Sequence, residues 1–140
     1  MKLSRILTWT LGLVVAAACA TVGAHERKEV AGLNVLFGAE PEPALTGEMQ
    51  FLRWRFTAQD KTPFADLEEM SATVKRNGKT HGPFTGRMSP RDPGLVATPH
   101  IFTSAGDYEA TLTFKKKGDA TVHSVTFAFK IADRKTLEIP

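Results

Sequence analysis

The stretch GDYEATLTFKKKGDATVHSVTFAFKI (residues 106–131) decides the fold. From Tyr108, its first half puts Tyr108, Ala110, Leu112 and Phe114 on one face of an extended chain. The second half, Thr121 to Ile131, does the same with Val125, Phe127, Phe129 and Ile131. Apolar residues at a period of two mark a strand with one face in a core and the other in water. Between the halves, KKKGDA (115–120) is charged and carries glycine, so it reads as a solvated tight turn. Two long strands joined by such a turn form an antiparallel hairpin.

Upstream of the hairpin, Ser104-Ala105 leads into Gly106-Asp107-Tyr108. A Gly-Asp-Tyr entering a strand resembles the tyrosine corner of immunoglobulin-like sandwiches, where the phenol oxygen ties back to upstream backbone. Further out the same extended pattern recurs. Gly32 to Gly38 reads as a strand closed by Glu40-Pro41-Glu42-Pro43, a segment that cannot join a central sheet. Within Glu48 to Thr57, Leu52, Trp54 and Phe56 point one way, and Phe51, Arg53 and Arg55 point the other. Asp66 to Met70 (DLEEM) is the one helix-like piece, about a single turn by its spacing. Ser71 to Arg76 and Lys79 to Phe84 flank Asn77-Gly78, a hairpin turn in which both central residues need positive φ. Leu95 to Phe102 is strand-like, with Pro99 confining part of it to an edge or bulge. About seven strands over about 105 residues predict an all-β, immunoglobulin-like antiparallel β-sandwich.

The chain has 140 residues, enough for one domain, and its 42% hydrophobic and 24% charged content is that of a globular protein. It opens with the pattern of a signal peptide: MKLSR is basic, ILTWTLGLVVAAA is apolar, and small residues follow. The apolar run of about 13 residues is short of the ~20 that cross a bilayer core. Residues 1–24 are therefore expected to be a signal peptide and residues 25–140 the sandwich domain, placing the product in the periplasm or outside the cell. Two cleavage points fit. A cut after Val22-Gly23-Ala24 makes His25 the N-terminus. A cut before Cys19, whose Ala16-Ala17-Ala18-Cys19 context resembles a lipobox, makes Cys19 a lipid anchor. Losing Lys2 and Arg5 takes the 18 basic residues to 16 against 15 acidic ones, a net charge of +1. The pI of 9.2 thus belongs largely to the precursor. The one basic run, Lys115-Lys116-Lys117, sits in the hairpin turn, so no nucleic-acid partner is expected. Cys19 is the single cysteine, which excludes an intramolecular disulfide and leaves stability to the core.

No Gly-x-Ser-x-Gly elbow, phosphate-binding glycine loop or His-Glu-x-x-His occurs, and the chain is not expected to be an enzyme. Four histidines remain: His25, His81, His100 and His123. Their spacing matches no zinc motif. His123 lies on the apolar face of the last strand and reads as a rim or core residue. His25 stands apart. Freed at Ala24, it offers an imidazole and an α-amine of pKa about 7.7–8.0 that can chelate one ion together. Cu(II) favours such nitrogen sets, and His81 or His100 would supply a third nitrogen. The expected metal ligands are therefore His25, His81 and His100, with Cu(II) as the cofactor. Met49, Met70 and Met88 are too scattered for a Cu(I) site.

His25-Glu26-Arg27-Lys28-Glu29-Val30, Glu42-Pro43-Ala44 with Gly47, Asp66-Leu67-Glu68, and Pro93-Gly94 with Gly106-Asp107-Tyr108 resemble a group of small exported bacterial proteins. Their domain is immunoglobulin-like, similar to the YtkA and FixH type. The resemblance covers most of residues 25–131; it implies the fold and no particular activity. Exported sandwiches of the CopC type bind Cu(II) through a mature N-terminal histidine, which implies the same role for His25; the other CopC ligand motifs are missing here. The alternative expectation is a metal-free interaction or accessory domain of a membrane transport or envelope complex, with Phe51, Arg53 and Arg55 as its patch. Either form would be membrane-anchored if Cys19 carries lipid.

Overall fold

The computed structural model describes residues 25–140. The expected signal peptide, including Cys19, lies outside the described residues. Among the described residues nine strands build two antiparallel sheets. They are β1 (Glu26–Val30), β2 (Leu33–Glu40), β3 (Met49–Thr57), β4 (Leu67–Arg76), β5 (Lys79–Thr85), β6 (Arg87–Met88), β7 (Leu95–Ile101), β8 (Gly106–Lys116) and β9 (His123–Ile131). One sheet has the order β1-β2-β3-β7-β6 and the other β5-β4-β8-β9. The two added to the expected seven, β1 and β6, are both edge strands.

The inner faces follow from side-chain alternation. Leu52, Trp54 and Phe56 of β3 are fully buried, as are Ala110, Leu112 and Phe114 of β8. Phe37 stacks on Phe127 at 5.0 Å across the two sheets, and Phe56 meets Phe114 edge-on at 5.0 Å. Such pairs add about 0.5–1.5 kcal/mol each beyond their buried area. Tyr108 closes the corner as its motif predicts: the hydroxyl donates to the Ser104 carbonyl at 2.6 Å, and the ring stacks on Phe129 at 5.6 Å. Gln50 is fully buried beside the Pro41–Leu45 segment; the amide orientation that satisfies both its ends donates to the Pro41 carbonyl at 3.1 Å and accepts from the Leu45 N–H at 3.2 Å.

The helix-like reading of Asp66 to Met70 is corrected by the structure, where Leu67–Arg76 is one strand. Leu67 faces the core, 4% exposed, opposite Lys116, while Ser71 pairs with Thr113. Four steps on β4 therefore match three on β8, and Glu69 takes φ 49° at this bulge. One extra residue reverses the parity, so Leu67 and Met70 both turn inward at a spacing that imitates a helix. Asn77 (φ 49°) and Gly78 (φ 76°) make the predicted hairpin turn. Pro99 is tolerated because β6 pairs with β7 only at Val96 and Ala97.

The β1 and β9 edges lie on the same side of the sandwich. Lys28 of β1 reaches across that seam. Its ammonium donates to the Thr126 carbonyl of β9 and sits 5.2 Å from the Phe127 ring centroid.

Candidate functional site

Opposite the core, β3 presents Met49, Phe51, Arg53 and Arg55 on the outer face of the five-stranded sheet. Register selects their neighbours on β7: Met49 pairs with Ile101, Phe51 with Pro99, Arg53 with Ala97 and Arg55 with Leu95. Directly paired residues of an antiparallel ladder share a face. Met49, Phe51, Pro99 and Ile101 thus form one apolar strip at the end of the sheet. Met49, Phe51 and Ile101 are 49%, 44% and 57% exposed, three of the six large apolar side chains exposed among the described residues. A shallow depression beside the strip is lined by Glu40, Pro41, Phe51, Arg53 and Ala97.

The two arginines continue the face, but their charges are internally matched. Arg53 hydrogen-bonds Glu40. Arg55 makes a two-pronged contact with Asp92, Nη1 and Nη2 each 2.7 Å from a carboxylate oxygen. That contact holds the Asp92 carboxyl below its ordinary range and raises the Arg55 guanidinium above its own. The alternation in β3 points to Phe51, Arg53 and Arg55 together, and the structure keeps them on one face. Sequence reasoning missed Met49, Pro99 and Ile101. Met49 continues the same alternation two residues before Phe51, whereas Pro99 and Ile101 join it only through the β3–β7 register, which no local pattern contains.

The expected metal ligands fall into two places. His25 precedes β1 and is about half exposed on the outer face of the five-stranded sheet, beside Leu36, Gly38, Glu40 and Arg53. Its Nε2 lies 3.6 Å from Glu40 Oε1 and its Nδ1 3.7 Å from Glu42 Oε1. Each ring nitrogen therefore faces a different carboxylate. His81 and His100 share another cleft, about 200 Å³ in volume, lined also by Val74, Phe84, Phe102 and Tyr108. An extra residue in β5, near Gly82, positions His81 opposite Val74 at the edge of the second sheet. The His100 ring meets Phe84 edge-on at 4.6 Å, and its Nε2 is 2.8 Å from Thr98 Oγ1. Burial lowers its pKa below the ordinary value, so its imidazole is neutral at pH 7. The structure brings together His81 and His100 and places His25 on the opposite side of the five-stranded sheet. Among the described residues no three His, Cys, Asp or Glu side chains converge where they could hold a metal. His123 packs against Phe114 at 5.5 Å as a rim residue. Among protein-family models, curated proteins and solved structures, none matches this chain.

Proposed function

We propose that this chain is a non-enzymatic, exported interaction module that docks an envelope or membrane protein on the outer face of its five-stranded sheet. The Met49–Phe51–Pro99–Ile101 strip carries the proposal. Solvent-facing strand positions are ordinarily polar, and here four in register are apolar. Because Arg53 and Arg55 already hold Glu40 and Asp92, the matching surface on the partner is apolar rather than acidic. The leader pattern of residues 1–24 supports export, and an exported chain meets envelope and membrane proteins.

Photo-crosslinking tests the reading. A photoreactive residue at Phe51 gives a discrete adduct with one envelope protein, and Ile101→Ser removes that adduct. The same probe at Glu109, on the outer face of the other sheet, gives none. Equal labelling at both positions, or an adduct indifferent to Ile101→Ser, overturns it.

A second reading rests on His25 and its two carboxylates. With the chain cut after Ala24, the α-amine and imidazole chelate Cu(II), and Glu40 or Glu42 supplies an oxygen once its contact with the ring gives way. His81 and His100 have no part in this set. Mass spectrometry of the exported protein followed by Cu(II) titration tests it: His25→Ala abolishes binding and His100→Ala leaves it intact. A mature start at Cys19 removes this reading.

A further inference from the structure

The seam between the two sheets is left unfilled at one end. A cleft of about 510 Å³ opens there, between the end of β2, the Glu42–Ala44 segment and the last residues of β9. Its walls are Phe37, Ala39, Pro43, Ala44, Phe129 and Ala132, with Ala128 at the mouth. Protein interiors are close-packed and rarely leave space larger than a water molecule. Here Ala39, Ala44, Ala132 and Pro43 stand where larger side chains would close the seam. Phe37 and Phe129 form an apolar floor. Backbone bonds hold the cleft open: Ala132 N–H donates to the Ala44 carbonyl at 2.9 Å, and Thr46 N–H to the Ala132 carbonyl at 3.0 Å. Its volume falls within the range of about 300–1,000 Å³ typical of small-molecule sites.

The charged residues on the rim are Glu26, Glu42 and Lys130. Lys130 leans outward to Asp107, 3.8 Å away. Glu26 has Lys28 at 3.9 Å and Glu42 has His25 at 3.7 Å, both beyond hydrogen-bonding distance, and the Lys28 ammonium is engaged by Thr126. The rim therefore offers two carboxylates without a close cationic partner above an apolar floor.

We propose that this cleft binds a small amphipathic cation, an alkyl or aryl amine whose apolar part lies on Phe37 and Phe129 and whose ammonium meets Glu26 and Glu42. This site is separate from the Met49–Ile101 strip and does not depend on it. Octylammonium, octanoate and octan-1-ol are the probes. They are titrated into the full chain by calorimetry, with the methyl resonances of Ala44, Ala128 and Ala132 followed by NMR. Octylammonium binds saturably and about tenfold tighter than octanoate, as two nearby carboxylates require. The double variant Glu26→Gln/Glu42→Gln erases the difference between the two probes. Ala44→Leu fills the cleft and abolishes binding of all three while circular dichroism and Tm stay native. No saturable binding of octylammonium, equal or tighter binding of octanoate, or retained binding in a folded Ala44→Leu overturns the proposal.

Discussion

At the scale of single residues, three side chains or backbone positions have consequences that can be measured. Tyr108 is 8% exposed and spends its hydroxyl on the Ser104 carbonyl. Tyr108→Phe keeps the ring stacking and leaves that carbonyl without its partner, costing about 1 kcal/mol in denaturant unfolding. Gly94 has φ 85°, and a Cβ built there would lie 2.6 Å from the Phe56 carbonyl oxygen. Gly94→Ala must therefore move backbone, and is expected to destabilise by more than the ~1 kcal/mol of a positive-φ alanine alone. His100 is half-buried, and burial lowers its pKa from the ordinary value of 6.5. The unfolded chain then takes up a proton at higher pH than the folded one, so stability is complete above about pH 6.5 and falls as the pH drops through the folded pKa. His100→Gln flattens that part of the stability curve. An unchanged slope below pH 6.5 would mean that this imidazole titrates alike in both states.

At the scale of elements, a strand was legible wherever its alternation ran unbroken. The inward sets of β3, β8 and β9 can be read directly from Leu52-x-Trp54-x-Phe56, Ala110-x-Leu112-x-Phe114 and Val125-x-Phe127-x-Phe129. The pattern failed at β6, a two-residue edge strand too short to show alternation, and in two further places for different reasons. Glu26–Val30 is an edge strand that buries little, so it carries no apolar period and reads as a polar tail. Leu67–Met70 carries a period distorted by the bulge at Glu69, which only the pairing with β8 reveals. The β4–β5 hairpin depends on its two-residue turn in a way the inner strands do not. Gly78→Val forces a β-branched residue to φ 76°, at a cost of about 1–3 kcal/mol. Because β5 is an edge strand with one neighbour, its amide protection in hydrogen exchange falls first while β8, paired on both sides, keeps its own.

On the scale of the whole molecule, the sandwich carries features that no linear window contains. The apolar strip is assembled from two strands about fifty residues apart in sequence, and the seam cleft from four separate segments of chain. Local alternation could offer Phe51 and its arginines, but not the β7 residues that complete the face. Since both arginines are internally paired, complex formation through this face is expected to vary little with salt. An affinity series from low to high ionic strength checks this; a steep loss would move the interaction onto Arg53 and Arg55. The reach of Lys28 to β9 has a further meaning. An unpaired strand edge is a template on which another chain can add a strand. By holding the Thr126 carbonyl and covering Phe127, Lys28 places a hydrated charge midway along that template. A second copy would have to displace that contact before it could extend the β8–β9 sheet past Thr126.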